Sequence, residues 1–297
     1  MKRKLLFRGT ATALVTPFKK DGSIEETTLR ELVDFQIDGK VEALVPVGST
    51  GEGATLSEAE QAAVVEIVVE QVNGRIPVIG GASSNSTMKA VDLARQVKAR
   101  GADAILSVAP YYNKPTQEGI YRHFSAVADA VEMPIVIYNV PGRTSSNIRA
   151  ETVLRLAEEI PYVVGVKEAS ANFPQMMEIL RCRPAGFGVW SGDDNLALPL
   201  IALGADGVIS VVSNEVPKPF SGMVRFALKG KFDKARDLHF KFLPLMEMNF
   251  VESNPIPVKA AMALMGLLEE HYRLPLVPLS ESARLRMEKV LKELKLV

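Results

Sequence analysis

Short apolar runs alternate with longer amphipathic segments along the chain up to about residue 230. Eight of these runs are nearly continuous in Val, Ile, Leu and Ala, as is typical of strands buried on both faces of a parallel sheet. The predicted strands cover residues 9–16, 41–48, 75–82, 102–110, 133–140, 162–168, 187–192 and 205–212. The segments between them have helical periodicity, and one opens with a capping-box pattern in which Ser57 precedes Glu60.

Eight regular strand–helix units predict an α/β fold of the (β/α)8 TIM-barrel type. An open, doubly wound sheet is the alternative, but the unbroken rhythm of the units favours a closed barrel. After residue 230 the strand pattern stops, and three further helical segments follow. We therefore predict a catalytic barrel over residues 1–230 and a C-terminal three-helix extension over residues 231–297.

Composition narrows the classes of function. The 297 residues include 35 basic and 35 acidic side chains, so the net charge is zero and no basic surface for nucleic acid or anionic lipid is indicated. No apolar run approaches the roughly 18 residues of a membrane span, and the apolar stretch near the start is too short for a secretory signal. The single cysteine excludes an internal disulfide, and the three histidines lack metal-ligand spacing. These features predict a cytoplasmic protein without a metal site.

Polar residues are concentrated at the carboxyl ends of the predicted strands, where the active site of a (β/α)8 barrel lies. Lys167 closes the apolar run "YVVGVK", so strand side chains are expected to surround its stem. Burial lowers the pKa of a lysine and exposes a neutral amine that attacks carbonyl groups. A strand-end lysine that reaches water is the alternative, and position alone does not decide between them.

Hydroxyl groups are expected close to Lys167. Tyr138 ends the neighbouring strand at the same depth, and its phenol is suited to proton transfer, although a barrel-filling tyrosine is the plainer interpretation. Ser49, Thr50 and Tyr112 follow other strands and add three more hydroxyls at the same mouth. Together these groups predict a proton relay around the lysine.

The loop "VGSTGEG", residues 47–53, is rich in glycine but does not match a phosphate-binding loop, because Ala54 stands where a lysine is needed. Its glycines allow the backbone to approach a small carboxylate closely. Arg143, after the fifth strand, is suited to binding a carboxylate at two points, although a solvated loop arginine is commoner. The acidic residues Glu168 and Asp193 are interpreted as caps in preference to metal ligands.

Seven motifs together resemble those of the dihydrodipicolinate synthase family along essentially the whole chain. They are "GSTGEGATLS" (48–57), "APYYNKP" (109–115), "YNVPGRT" (138–144), "GVKEAS" (165–170), "SGDD" (191–194), "GVISV" (207–211) and "NPIPVK" (254–259). Members are pyruvate-dependent Schiff-base lyases, similar to class I aldolases, on a (β/α)8 barrel with a C-terminal helical extension. The resemblance implies condensation of pyruvate with L-aspartate 4-semialdehyde to 4-hydroxy-tetrahydrodipicolinate, the first committed step of the diaminopimelate route to lysine, without a cofactor.

The resemblance also implies a role for each matching residue. Lys167 would form the Schiff base, and Tyr138, Tyr112 and Ser49 would form the proton relay, with Ser49 at a position where the family usually has threonine. The substrate-binding residues it implies are Thr50 and the backbone of Ile209 for pyruvate, Arg143 for the carboxylate of the semialdehyde, and also Gly192 and Asp193. In the family a neighbouring subunit lends the tyrosine that matches Tyr112, so the resemblance implies a homo-oligomer, commonly a tetramer built as a dimer of dimers.

Two alternatives compete with this interpretation. N-acetylneuraminate lyases and 2-keto-3-deoxy sugar acid aldolases share the lysine and tyrosine, but they usually lack an arginine at the position of Arg143. A non-catalytic sensor on the same barrel would be expected to have lost some of the hydroxyls or the lysine. The motifs therefore favour the synthase.

Feedback inhibition by lysine is a separate question. Lysine-sensitive members resemble this chain at Asn85 and Tyr111, but they carry an acid where this chain has Lys89. A cation at position 89 repels the ammonium group of lysine. We therefore predict weak or absent inhibition by lysine.

Overall fold

A computed structural model describes residues 5–297 of the chain. Within these residues eight strands form one sheet: β1 (Gly9–Ala13), β2 (Ala43–Val45), β3 (Ile79–Gly81), β4 (Ala104–Val108), β5 (Ile135–Asn139), β6 (Val163–Glu168), β7 (Gly188–Ser191) and β8 (Gly207–Ser210). All pairs are parallel, and the order is β2-β1-β8-β7-β6-β5-β4-β3. A parallel bridge between Leu44 and Val78 joins β2 to β3. The sheet therefore closes into the predicted (β/α)8 barrel.

Helices surround the barrel and continue beyond it. In the described part of the chain they are α1 (Glu26–Asp38), α2 (Glu58–Val72), α3 (Thr87–Ala99), α4 (Gln117–Val131), α5 (Pro141–Thr144), α6 (Ala150–Glu159), α7 (Phe173–Cys182), α8 (Asp194–Ala202), α9 (Pro217–Leu228), α10 (Phe232–Met248), α11 (Ile256–Leu264) and α12 (Glu281–Glu293). The predicted capping box begins α2, since the side chains of Ser57 and Glu60 each accept the other's backbone N–H. None of the helices described in residues 5–297 has the length and apolarity needed to cross a lipid bilayer.

Side chains of the described residues fill the lower part of the barrel interior. Trp190 is the largest of these side chains, and the ring of Phe7 stacks on it with centroids 4.6 Å apart. A Cβ atom at Gly165 or Gly188 would lie 2.4 or 2.2 Å from the indole, so both positions need glycine. Trp190 and Phe7 thus close the barrel interior. The polar residues lie above them, at the carboxyl ends of the strands.

The three helices α10, α11 and α12 form the predicted C-terminal extension. Phe220 and Val224 of α9 share one hydrophobic cluster with Phe242 and Leu245 of α10, so the extension packs directly on the barrel. The domain boundary after residue 230 stays a prediction. The extension matters for the site because it brings residues 250–276 over the barrel mouth.

Candidate active site

Lys167 and Tyr138 lie side by side at the carboxyl ends of β6 and β5. The two residues are register partners, so their side chains point to the same face of the sheet, which is the barrel interior. The Nζ atom of Lys167 is 4.4 Å from the centre of the Tyr138 ring, and only 4% of the lysine is exposed. The predicted neighbourhood of these two side chains is therefore present.

The amine of Lys167 has neither an ion pair nor a hydrogen bond within residues 5–297. Burial disfavours its ammonium form and lowers its pKa to about 8, while Asp193 and Asp194 oppose this shift by their negative charge. Gly192 allows the close approach, because a Cβ atom there would be 3.2 Å from Cε of the lysine. The environment thus increases the fraction of neutral amine near physiological pH.

Burial acts on the phenol of Tyr138 in the opposite sense. It raises the pKa of this group well above its ordinary value, and the positive charge of Arg143 counteracts the increase only partly. The phenol therefore stays protonated across the physiological range. A protonated hydroxyl beside a neutral amine is the arrangement required for a proton donor in carbonyl addition.

A three-residue chain of hydrogen bonds crosses the mouth of the barrel. The Nδ2 group of Asn254 donates to Oγ1 of Thr50 at 2.9 Å, and Nη2 of Arg143 donates to the backbone oxygen of Asn254 at 3.1 Å. Because Thr50 accepts from the amide, its own hydroxyl hydrogen remains free for a ligand. Asn254 lies in the motif "NPIPVK", but its role was missed because 204 residues separate it from Thr50.

Two connected cavities open at this end of the barrel. The inner cavity has a volume of about 50 Å³, and Lys167, Tyr138, Thr50, Gly192 and Asp193 are among its lining residues. One water needs roughly 10–15 Å³ on this scale, so the cavity suits a molecule of a few non-hydrogen atoms. The outer cavity has a volume of about 310 Å³ and shares several walls with the inner one.

The other predicted site residues differ in whether they line the cavities and in how exposed they are. Ser49 and Arg143 line both cavities, and Ser49 is exposed. Ile209 is fully buried in the barrel-interior cluster that includes Tyr138. Tyr112 lines neither cavity and is 87% exposed, in a left-handed backbone conformation with φ of 72°. Within one subunit, Tyr112 therefore does not join the hydroxyls at the mouth.

The three residues considered for lysine inhibition are also spread out. Tyr111 lines the outer cavity, and Lys89 is exposed on α3. The backbone oxygen of Asn85 accepts a hydrogen bond from Asn113 at 2.9 Å. The structure leaves the predicted insensitivity to lysine as a prediction.

The acidic residues near Lys167 accept hydrogen bonds from the loops that follow the strands. Glu168 is turned away from the cavity and accepts hydrogen bonds from Asn139 and from the backbone of Ser170. One oxygen of Asp194 accepts the backbone N–H groups of Val211 and Val212 at 3.0 and 2.8 Å. Among residues 5–297, no three His, Cys, Asp or Glu side chains are grouped as metal ligands.

A second buried lysine, which the sequence did not reveal, lies beneath the loop that follows β2. The Nζ group of Lys259 donates to Oε1 of Glu52 at 2.6 Å, to the backbone oxygen of His271 at 2.7 Å and to that of Thr16 at 3.1 Å. Both side chains of the ion pair are completely buried. The ammonium therefore has a partner for each of its three hydrogens.

Comparison with known proteins identifies the family of the chain. The model of the "Dihydrodipicolinate synthetase family" matches residues 6–294. The 4-hydroxy-tetrahydrodipicolinate synthases of Chloroherpeton thalassium and Koribacter versatilis are 50% and 53% identical to this chain, over 100% and 96% of its length and 98% and 95% of their own. The crystal structure of the chloride-inhibited dihydrodipicolinate synthase from Acinetobacter baumannii, complexed with pyruvate, is 43% identical with a TM-score of 0.96, over 98% of this chain and all of that one. The chain belongs to the dihydrodipicolinate synthetase family.

Proposed function

We propose that the protein condenses pyruvate with L-aspartate 4-semialdehyde through a Schiff base on Lys167, giving 4-hydroxy-tetrahydrodipicolinate. The observation that carries this proposal is the buried amine of Lys167, which has no polar partner among residues 5–297 and faces Tyr138 in a small cavity. Relatives of about half-identical sequence that are named as 4-hydroxy-tetrahydrodipicolinate synthases support the choice of substrates. The reaction would commit carbon to the diaminopimelate route to lysine.

Pyruvate would bind in the inner cavity with its ketone beside Lys167. The hydroxyl of Thr50 has its hydrogen free, so it would donate to the pyruvate carboxylate, together with backbone N–H groups of the same loop. The backbone of Ile209 would complete this pocket. In this orientation the methyl group of pyruvate points toward the outer cavity, where the second substrate would enter.

The chemistry follows from the protonation states of the two strand-end residues. The neutral amine of Lys167 attacks the ketone carbon, and the resulting carbinolamine loses water as Tyr138 donates a proton to the departing hydroxyl. The protonated imine withdraws electrons, so a methyl proton is lost and an enamine forms. The enamine carbon then attacks the aldehyde of the semialdehyde and forms the new carbon–carbon bond. The amine of the second substrate displaces Lys167 by transimination, which closes the ring and releases the enzyme.

Arg143 and Asp193 would orient the second substrate. A guanidinium group has five N–H donors, and within residues 5–297 the side chain of Arg143 uses one of them, on Asn254, so a carboxylate can bind to the rest. Asp193 lines the inner cavity close to Gly192, where its charge suits the ammonium of the semialdehyde. The carboxylate and the ammonium, which share one carbon, would thus be held while the aldehyde at the other end of the substrate faces the enamine.

Tyr112 would act in a neighbouring subunit. Its phenol projects into solvent from a loop at the barrel mouth, and it lines neither cavity of its own chain. A homo-oligomer in which subunits exchange this residue would complete a relay of Tyr138, Ser49 and the partner's Tyr112. This exchange needs a dimer, and the family resemblance extends the proposal to a dimer of dimers.

Borohydride trapping and a coupled assay test the proposed function. When the enzyme is reduced with borohydride in the presence of pyruvate, mass spectrometry should find the pyruvate adduct on Lys167. In the coupled assay, the purified enzyme should consume pyruvate and aspartate semialdehyde together. Tyr138→Phe should lower kcat by about 10²- to 10⁴-fold, the range of general acid–base catalysis. Cleavage of sialic acid without consumption of aspartate semialdehyde would instead identify a sister lyase. Absence of any adduct on Lys167 would favour a non-catalytic sensor.

A further inference from the structure

We propose that the buried ion pair of Lys259 and Glu52 positions the pyruvate-binding loop, residues 48–53, and thereby sets the affinity for pyruvate. Neither residue lines the inner cavity that would hold pyruvate, although Glu52 lines the outer one, so both would be positioning residues for pyruvate. The inference rests on the proposed function, because it takes Thr50 as the partner of the pyruvate carboxylate. It adds a role for the C-terminal extension, which supplies Lys259.

The carboxylate of Glu52 depends on Lys259. Its side chain is completely buried, and Lys259 is its only ion-pair partner within residues 5–297. Its second oxygen, Oε2, has no hydrogen-bond partner among the described residues. Glu52 also has a left-handed backbone with φ of 54°, which few side chains adopt readily. Backbone hydrogen bonds also close this turn, such as that from Glu52 N–H to the oxygen of Ser49 at 3.2 Å, and the ion pair is the contact that ties it to the C-terminal extension.

Lys259 reaches the same loop by a second route. Its Nζ group donates to the backbone oxygen of Thr16, whose hydroxyl donates to the backbone oxygen of Gly51 at 2.7 Å. The loop is thus held at Gly51 and Glu52, the two residues that follow Thr50. A change at Lys259 would remove its ion pair with Glu52 and its support of Thr16, whose hydroxyl makes the contact to Gly51.

Helix α11 presents two anchors to this loop from its amino-terminal end. Asn254 lies just before the helix and fixes the Thr50 hydroxyl, while Lys259 lies five residues later and fixes Glu52. Both residues are on one continuous segment, so the start of the helix fixes the position of the loop at two points. The orientation of Thr50 toward the cavity would follow from these two anchors.

A second nucleophile at Lys259 is the competing interpretation, and its surroundings oppose it. All three hydrogens of its ammonium are used, and its charge also lies 4.5 Å and 5.1 Å from the ring centres of Phe18 and Tyr272. Faces of aromatic rings favour a cation over a neutral amine. Lys259 thus remains charged and serves as an anchor.

The experiment compares two double variants that each replace an ion pair by neutral side chains of similar shape. Glu52→Gln with Lys259→Met removes the anchor of the loop. Glu42→Gln with Arg225→Met is the control, because that ion pair is 2.8 Å long and lies at the amino end of the strands, although it is only partly buried whereas the loop pair is completely buried. Steady-state kinetics give KM for pyruvate and kcat, and thermal unfolding gives Tm.

The loop variant should raise KM for pyruvate about tenfold, which corresponds to about 1.4 kcal/mol, and change kcat less than twofold. The control should lower Tm by a smaller amount, because its pair is partly exposed, and should leave KM unchanged. An unchanged KM in the loop variant would overturn the inference, since the pair would then be only structural.

Two further measurements keep the outcome decisive. If the double variant does not fold, Thr16→Val cuts only the hydroxyl contact to Gly51, and it should raise KM for pyruvate about threefold; no increase would overturn the inference. Borohydride trapping of pyruvate on Lys167 in the wild type separates the two proposals. Its absence would overturn the proposed function and this inference with it, whereas trapping with unchanged KM in the variants would overturn the inference alone.

Discussion

Two lysines are buried around the same loop, yet their surroundings suit opposite tasks. Lys167 has no polar partner among the described residues and faces an open cavity. Lys259 has three hydrogen-bond acceptors, of which one is a buried carboxylate, and two aromatic rings. Burial lowers the pKa of both, but only Lys259 has a carboxylate in contact that opposes the effect. Burial alone therefore does not make a lysine a nucleophile; the lack of a partner does.

The difference is also one of energy. Transfer of an ammonium group from water to a protein interior costs several kcal/mol, which an ion pair with good geometry can offset. At Lys259 the ion pair and the backbone oxygens provide that offset. At Lys167 the cost remains and favours the neutral amine, as is typical of a site that gives up stability for reactivity.

The largest expected effect is the loss of activity when Lys167, but not Lys259, is replaced by arginine. Lys167→Arg keeps a positive charge but removes the nucleophile, because arginine is not deprotonated in proteins, so kcat should fall by at least about 10⁴-fold. Lys259→Arg should retain the pyruvate adduct on Lys167. The measurements are the coupled assay and mass spectrometry after borohydride reduction. An adduct on Lys259 in the wild type would reverse the assignment.

The second effect separates the lysines by stability. Lys259→Met leaves the charge of Glu52 buried without a partner, which should lower the free energy of unfolding by about 3–5 kcal/mol. Lys167→Met removes an uncompensated amine and should leave stability unchanged or increase it. Urea denaturation measures both. Equal losses in the two variants would contradict the distinction drawn between them.

The third effect is the pH dependence of imine formation. The neutral form of Lys167 increases as pH rises through its lowered pKa of about 8, so the trapping rate at low pyruvate should increase about tenfold from pH 7 and level off above about pH 9. Quenching with borohydride at timed intervals measures this rate. A rate that still rises steeply at pH 10 would show an ordinary lysine pKa.

The smallest effect concerns the loop that lies between the two lysines. Thr50→Val removes a hydroxyl expected to bind the pyruvate carboxylate and should raise KM for pyruvate about tenfold, the value of one charge-assisted hydrogen bond. Ser49→Ala should mainly slow turnover, because Ser49 belongs to the proposed proton relay. The side chain of Ser49 is exposed and makes no hydrogen bond within residues 5–297, so it is available for that relay. Equal kinetic constants in both variants and the wild type would contradict these roles.

Much of the barrel could be predicted because its signal is local. Runs such as "YVVGVK" identify buried strands, and parallel strands place their carboxyl ends together, so Lys167 and Tyr138 were predicted as neighbours. The position of the Tyr112 side chain was harder to predict, because the direction of a loop that follows a strand is not set by the strand pattern. Lys259 was hidden in "PVKAAMALMGLL", where a lysine on a helix ordinarily reaches water.

The sequence by itself determined the number and order of the strands, the extension that follows them and the lysine that ends β6. Only the tertiary structure decided which lysine has a partner, since Glu52 and Lys259 are 207 residues apart in the chain. It likewise decided that Asn254 fixes Thr50. Strand formation depends on a pattern of neighbouring residues, whereas the pKa and the charge of a buried amine depend on atoms that only folding brings within hydrogen-bond distance.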